Sequence, residues 1–326
     1  MAEQNYNQIE RNLNETIYRL LLLEKNDLLI LLQFKIIILH NPDYKLQNFL
    51  EIIINNLKLF DACLWKNNQI LIITLDKLYS IQLYDNNKNY KSLLELNLYN
   101  NINITFKRII QINPLNKFSK FLLNTYGKFV IYNELLSNKS FQSEISIKNK
   151  KCFQSFIQIR NNEIVCNSEN EKKVYFIDIK KGIILSKINN INTFILDRDI
   201  FCLINKNILG LGGDLRNGIY FFDINKRELI YQYKEDWRGY DCLLKIGNNK
   251  FLGESYEGRS YAESDDEDEE LYCTKFCEYI EKENKIKVYK NSNSRTVELK
   301  RNNFIKFKNI EKIAYTTKKN LYIESL

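Results

Sequence analysis

The sequence predicts an all-β fold, because its apolar residues fall in short runs and one strand–turn–strand unit recurs along the chain. The runs are about five to seven residues long, rich in Ile, Leu, Tyr and Phe, and end at Asn, Asp, Lys or Gly. Beyond the first fifty residues, no stretch sustains the three-to-four-residue apolar spacing of an amphipathic helix. We therefore expect short strands and turns nearly throughout.

The clearest repeat is a hairpin that occurs twice, at Lys173–Ile188 (KVYFIDIKKGIILSKI) and at Gly218–Tyr233 (GIYFFDINKRELIYQY). Each copy predicts a strand ending at an Asp, a short turn containing Lys, and a second strand. The Asp side chain can accept hydrogen bonds from the backbone N–H groups just beyond it, which favours a tight turn. Further strands are predicted at Gln69–Thr74, Lys77–Leu83 and Lys128–Tyr132.

Residues equivalent to the hairpin Asp recur along the whole chain. They are Asn41, Asp85, Asn133, Asp178, Asp223, Glu281 and Glu324, with spacings of 44, 48, 45, 45, 58 and 43 residues. The one long spacing is explained by an acidic insertion at about 257–270. A period near 45 residues with four strands per unit is typical of a β-propeller blade. We predict one domain over residues 1–326, a seven-bladed β-propeller.

Two blades show all four predicted strands clearly. In the fourth blade they are Phe153–Ile159, Ile164–Asn167, Val174–Ile179 and Ile183–Ile188. In the fifth they are Ile200–Ile204, Ile208–Gly212, Ile219–Asp223 and Glu228–Tyr233.

The seventh blade predicts how the ring closes. It has three strands, Phe304–Phe307, Lys312–Thr316 and Asn320–Ile323, so one strand is missing. At the other end of the sequence, Tyr6–Leu13 precedes the first strand of blade one, Ile17–Leu23, and has no blade of its own. Pairing this N-terminal strand with Leu321–Glu324 would complete the last blade and remove the open edge of the ring.

The two hairpins resemble those of the WD-repeat family, whose units end in an aromatic–Asp pair, a short turn and a final strand. Tyr84–Asp85 and Phe222–Asp223 match the pair, and Ile177–Asp178 matches it at the Asp. The Gly-His dipeptide of the family is absent, so the histidine-based hydrogen-bond network of many WD blades is not expected. A kelch-type propeller would need paired glycines in each blade, and Gly212–Gly213 is the one such pair.

The chain is basic apart from one acidic run. Lys and Arg number 48 against 40 Asp and Glu, a formal charge of +8. Seven acidic residues lie between Glu263 and Glu270, and the rest of the chain carries +15. A basic body can attract RNA or an acidic protein, although scattered lysines are also typical of an ordinary solvated surface.

The cysteine content and the N-terminal sequence predict a cytoplasmic protein. Seven cysteines, an odd number, indicate free thiols, and the first residues lack the apolar core of a signal peptide. The most apolar segment, Ile17–Leu39, contains five charged residues and is not expected to enter a membrane. Nuclear or cytoskeletal association stays open.

No catalytic, cofactor or metal site is predicted. His40, the only histidine, lies before the first predicted turn with no nucleophile or carboxylate at motif spacing. Cys273 and Cys277 fall four residues apart in one predicted strand, about 13 Å and too far apart to share a zinc ion. Gly210, Gly212 and Gly213 lack the helix and the Lys-Ser/Thr pair of a phosphate-binding loop.

The resemblance to WD-repeat propellers implies that three loops share one face, because in those propellers the loops between second and third strands and those between blades emerge together. The three loops are Asp214–Asn217, Asp236–Tyr240 and the acidic insertion. Trp237, Arg238 and Tyr240 are of the residue types enriched at interface hot spots, and the alternative is that Trp237 packs onto its own blade. The candidate partner-contact residues are Asp214, Arg216, Trp237, Arg238, Tyr240, Asp265, Asp266, Glu267, Asp268, Glu269 and Glu270. Ser264 precedes these acidic residues, as an acidophilic kinase would require, and is a candidate phosphorylation site.

These features favour a non-catalytic scaffold that binds other proteins, as a monomeric subunit of a hetero-complex. The rigid blades would hold variable loops in fixed positions. The alternative is an RNA-associated propeller, for instance in ribosome assembly, which would need Lys and Arg clustered on one face with exposed aromatic residues. Phosphoinositide binding would need a paired-arginine motif, and Arg108 and Arg301 each lack an arginine neighbour.

Overall fold

The computed structural model defines twenty-one segments of the chain. It describes residues 9–23, 26–40, 49–53, 58–65, 69–74, 78–82, 97–99, 111–115, 120–125, 128–135, 140–148, 155–168, 171–193, 200–214, 217–234, 238–257, 271–283, 285–289, 302–308, 312–316 and 320–325. Within these segments every regular element is a strand, so the predicted all-β fold is confirmed. No helix in them is long and apolar enough to cross a membrane.

The strands number twenty-eight in the described segments. In the first half of the chain they are β1 Ile9–Asn12, β2 Arg19–Leu22, β3 Leu28–Leu31, β4 Lys35–Leu39, β5 Phe49–Ile53, β6 Leu59–Leu64, β7 Gln69–Thr74, β8 Leu78–Gln82, β9 Asn97–Tyr99, β10 Gln111–Leu115, β11 Lys120–Thr125, β12 Lys128–Leu135 and β13 Ser140–Lys148. In the second half they are β14 Phe156–Arg160, β15 Glu163–Ser168, β16 Lys173–Asp178, β17 Ile183–Asn189, β18 Phe201–Leu203, β19 Ile208–Gly212, β20 Ile219–Asp223, β21 Glu228–Tyr233, β22 Arg238–Lys245, β23 Lys250–Glu257, β24 Leu271–Ile280, β25 Lys285–Tyr289, β26 Asn302–Lys306, β27 Lys312–Thr316 and β28 Asn320–Ser325.

The strands form four-stranded antiparallel sheets in which neighbours in sequence pair in order. Seven such sheets occur in the described segments: β2–β5, β6–β9, β10–β13, β14–β17, β18–β21, β22–β25, and one with the order β1-β28-β27-β26. The chain divides into two compact units, one of residues 1–150 and 307–326 and the other of residues 151–306. The predicted meander of four strands per repeat is therefore present.

The N-terminal strand pairs with the last strand of the chain, as the sequence predicts. β1 runs antiparallel to β28, with Ile9 opposite Ile323 and Asn12 opposite Asn320. The described strand lies within the predicted Tyr6–Leu13, and residues 1–8 lie outside the described segments.

Both repeated hairpins turn as their sequences predict. The Asp178 carboxylate accepts hydrogen bonds from the backbone N–H groups of Lys180 and Lys181, at 2.8 and 2.9 Å. Asp223 does the same for the two residues at the matching positions of the second hairpin, at 2.7 and 2.9 Å. The Asp thus terminates the third strand of each sheet and starts the turn into the fourth.

The central strands are buried on both faces, which explains their continuous apolar runs. Phe222 packs in a cluster with residues of sheet β14–β17, whereas Phe221, the preceding residue, packs with residues of sheet β22–β25. The Phe221 ring stacks on Tyr279 with centroids 5.3 Å apart. Because successive side chains of a strand point to opposite faces, a sheet packed between two others needs apolar residues at consecutive positions.

Candidate partner-contact surface

The candidate surface is built on a backbone contact between the β19–β20 loop and the start of β22. The N–H of Gly213 donates to the carbonyl of Gly218 at 2.7 Å and closes the loop. The N–H of Tyr240 then donates to the Gly213 carbonyl at 2.8 Å, and Gly218 and Gly239 form a parallel β-bridge. Gly213 and Gly218, which flank the predicted loop Asp214–Asn217, are therefore held against Gly239 and Tyr240 of β22.

Glycine is required at this contact because the backbones approach too closely for a side chain. A Cβ atom on Gly212 would lie 2.0 Å from the carbonyl oxygen of Tyr240. Gly218 has a φ of +64°, and a Cβ atom there would lie 1.9 Å from the Tyr233 carbonyl oxygen. The glycines of ILGLGG thus end strand β19 and dock it against β22, in agreement with the interpretation of this segment as a strand running into a loop.

Asp214 lies in the loop and supports its geometry. Its backbone N–H donates to the Asn192 carbonyl at 3.2 Å, and its own carbonyl accepts from the Asn217 N–H at 2.9 Å. The side-chain amide of Asn217 also donates to the Asp214 carboxylate. The Asp214 side chain is partly buried, and its hydrogen bond with Asn217 orients the carboxylate within its own loop.

Tyr240 is part of the core, which corrects its assignment as a contact residue. Its side chain has no exposed area, and its ring packs edge-on against Tyr233 with centroids 6.4 Å apart. A Cβ atom on Gly253 would lie 2.8 Å from the Tyr240 ring, so this glycine on β23 leaves the space that the ring fills. A fully buried ring cannot provide a partner contact.

Arg238 begins strand β22 at the edge where the acidic insertion leaves the sheet. Its Cα partner across the ladder is Glu257, the last residue of β23. Glu257 in turn pairs with Leu271, the first residue of β24. The remaining candidates lie outside the described residues: Arg216, Trp237, Ser264, Asp265, Asp266, Glu267, Asp268, Glu269 and Glu270.

Because Glu257 and Leu271 face each other across the ladder, a short turn can replace the insertion. We expect that exchanging Gly258–Glu270 for a short Gly-Ser linker leaves the melting temperature nearly unchanged, since a highly charged loop buries little and loop-closure entropy varies slowly with length. Thermal unfolding followed by circular dichroism measures this. A drop of five degrees or more, on the order of 2 kcal/mol, would show that the insertion packs against the sheet.

His40 forms a polar pair within its own sheet. Its Nδ1 atom lies 3.3 Å from Oδ2 of Asp27, a buried carboxylate opposite it at the ends of β3 and β4. The cysteines whose side chains are described are all buried, and burial raises the pKa of Cys202 to about 12. Cys273 and Cys277 both lie in β24, as predicted.

One charged cluster was missed by the sequence analysis. Glu163 is nearly buried and accepts hydrogen bonds from Arg227 Nε at 2.8 Å and from Arg160 Nη1 at 3.2 Å. The hydrogen bond to Glu163 raises the pKa of the Arg227 guanidinium. Arg227 has a φ of 58°, at the position where the matching hairpin has Gly182 with a φ of 69°. Aligning the two hairpins places Arg227 opposite Gly182. An arginine at a position that favours glycine is the feature of the sequence that indicates a role for the Arg227 side chain.

We expect Arg227→Gly to destabilise the protein by about 1 kcal/mol, although it removes backbone strain. Relief of the left-handed conformation gains about 1 kcal/mol, whereas losing charged hydrogen bonds to a nearly buried carboxylate costs about 2 kcal/mol. Urea unfolding of Arg227→Gly, Glu163→Gln and the double variant gives the coupling between the two side chains. Strictly additive losses would contradict the pairing.

The whole chain is similar in structure to solved β-propellers. It aligns over 100% of its length with 94% of a chain in a crystal structure of the mitotic checkpoint complex, at a TM-score of 0.71 and 7% identity. It aligns over 97% of its length with 98% of U3-55K, at a TM-score of 0.69 and 8% identity. Virginiamycin B lyase from Staphylococcus aureus aligns over 99% of this chain and 100% of its own length, at a TM-score of 0.63 and 11% identity.

Sequence comparison adds no closer relative. No protein-family model matches the chain, and no curated protein matches it. The first two of these structural neighbours are WD40 propellers and the third is a propeller enzyme. At these identities the likeness defines the fold, and this chain has the fold of the β-propeller proteins.

Proposed function

We propose that this protein is a non-catalytic scaffold that binds other proteins as a subunit of a larger assembly. In this proposal the seven sheets are the blades of one ring formed by residues 1–326, and β1 closes the ring by completing the last blade. The likeness to WD40 propellers that occur in complexes supports the role. The burial of the five described cysteines suits a reducing compartment such as the cytoplasm.

The observation that carries the proposal is the backbone contact between the β19–β20 loop and β22. It joins Gly213 and Gly218, on either side of the Asp214–Asn217 segment, to the start of β22, whose first residue Arg238 lies opposite Glu257, the last described residue before the acidic insertion. Loops that are held rigid before binding lose less conformational entropy on binding. Trp237 and Arg238 directly precede Gly239 and Tyr240 in the sequence, and both are of the residue types that dominate interface energetics.

Changing Trp237→Ala and Arg238→Ala together should weaken partner binding by about 2 kcal/mol or more and leave the fold intact. The measurement is quantitative recovery of co-purifying proteins with the tagged protein, after RNase treatment and at two salt concentrations. Lys206→Ala with Lys282→Ala is the control, because both lysines are exposed at the far ends of their sheets. Equal recovery of partner proteins with both double variants would show that the contact surface lies elsewhere.

The acidic insertion should act on the rate of association. Neutralising Asp265–Glu270 should slow partner binding and flatten its salt dependence, because exposed charges steer encounters more than they hold complexes together. Phosphorylation of Ser264 would add further negative charge to the same segment.

The same purification tests the alternative function. Recovery that RNase abolishes would favour the RNA-associated propeller, for which the basic body of the chain is the argument.

A further inference from the structure

Strand β17 presents three consecutive apolar side chains to solvent. Ile183, Ile184 and Leu185 have 47%, 46% and 36% of their surface exposed. The strand is the last in its sheet order, so within the described segments no strand pairs with its outer edge. Exposed apolar edge strands are rare in isolated proteins, because their unpaired N–H and C=O groups invite pairing with another chain.

The corresponding strand of another sheet shows the ordinary pattern. In β25 the exposed positions are Lys285, Lys287 and Tyr289, and the partly buried positions between them are Ile286 and Val288. This alternation, with lysine on the solvent side, protects a sheet edge. β17 departs from it.

A β-bulge accounts for the local geometry of β17. Ser186 pairs with Phe176 but Ile184 pairs with Ile177, so Leu185 is an extra residue in the ladder. The Ser186 hydroxyl donates to the Arg227 carbonyl at 3.4 Å, which brings β17 next to the following hairpin.

The charge around this surface is positive. Lys180 and Lys181 precede the apolar residues and Lys187 follows them, and all three are exposed. The strand itself contains no acidic residue. The Asp178 carboxylate in the preceding turn is engaged by backbone N–H groups. An incoming segment would therefore meet an apolar strip flanked by three lysines.

We propose that the outer edge of β17 binds an extended segment of a partner protein in which apolar and acidic side chains alternate. The segment adds a fifth strand to the sheet through main-chain hydrogen bonds, its apolar side chains pack beside the exposed apolar side chains of β17 that lie on the same face, and its carboxylates face the lysines. This inference rests on the proposed protein-binding function and names the chemistry of a partner at a second surface.

The test uses labelled synthetic peptides and the full-length protein. One peptide of about eight residues, a common strand length, alternates Val with Glu, and its matched control alternates Val with Lys. We expect the Glu peptide to bind and the Lys peptide to bind at least about tenfold more weakly. Methylating alternate backbone nitrogens of the Glu peptide on one edge should abolish binding, because main-chain donors are lost.

Variants of the protein then locate the site. Replacing Ile183, Ile184 and Leu185 by Thr preserves β-propensity and should weaken binding of the Glu peptide at least about tenfold. Lys180→Glu with Lys181→Glu should do the same, whereas Lys285→Glu with Lys287→Glu on β25 is the charge-matched control and should have little effect. Equal weakening by the two charge-reversed variants would overturn the proposal.

Other occupants of the strand give distinct results that would also overturn it. Self-association of the native protein that the Thr variant abolishes would identify a second copy of the chain. Binding of the native protein to anionic vesicles that the Thr variant loses, without any peptide binding, would identify a membrane surface. If RNase-resistant partners are recovered but the peptide does not bind β17, this inference fails alone. If the peptide binds but no partner is recovered, the scaffold function fails.

Discussion

Deleting residues 1–14 is expected to lower the free energy of unfolding by about 4 kcal/mol or to cause aggregation. Strand β1 pairs with β28 over four residue pairs, and each backbone hydrogen bond contributes about 1 kcal/mol net. The deletion would also leave β28 as an open edge, next to buried side chains such as Leu321 and Ile323.

A shorter truncation is the control for this prediction. Deleting residues 1–6 leaves β1 in place and should leave the melting temperature close to that of the full chain. Urea unfolding and light scattering of the two truncations measure stability and aggregation. If the protein without residues 1–14 melts at the full-length temperature, β1 does not close the last sheet.

Replacing Gly212 with Ala is expected to destabilise the protein by about 3 kcal/mol and to separate the β19–β20 loop from β22. The new Cβ atom would lie 2.0 Å from the Tyr240 carbonyl oxygen, and a backbone atom can escape such a clash only if the strands move apart. The hydrogen bond from Tyr240 to Gly213 would break with that movement. Partner binding should fall together with stability.

Gly247→Ala is the matched control, because its new Cβ atom would contact only the Lys250 side chain, at 3.5 Å. Thermal unfolding should show almost no change for this variant. Hydrogen exchange at the Tyr240 amide reports the contact itself, and should accelerate in Gly212→Ala and not in Gly247→Ala. Unchanged exchange in both would contradict the role of the glycine.

The strands could be predicted from the sequence because their physical signal is local. Strands β7 and β21 have the same bounds as the predicted runs Gln69–Thr74 and Glu228–Tyr233. The turns were predictable for the same reason, since the Asp that accepts the N–H groups lies two and three residues before them.

Features that depend on neighbouring strands could not be predicted. The residue type of Tyr240 favours an interface, but Gly253 on β23 leaves the space that its buried ring fills. The partner of Arg227 is Glu163, 64 residues earlier in the chain. The exposure of Ile183–Leu185 coincides with a β-bulge in the pairing of β17 with β16, which no local pattern reveals.

Cross-linking of the purified complex tests the scaffold function most directly. With a lysine-reactive cross-linker after RNase treatment, we predict links to a partner protein at Lys234, which is exposed at the end of β21 beside Gly218. Lys206, exposed in the turn between β18 and β19 at the opposite end of the same sheet, should give few links. Links to protein at Lys206 and none at Lys234, or no protein links once RNA is removed, would contradict the account.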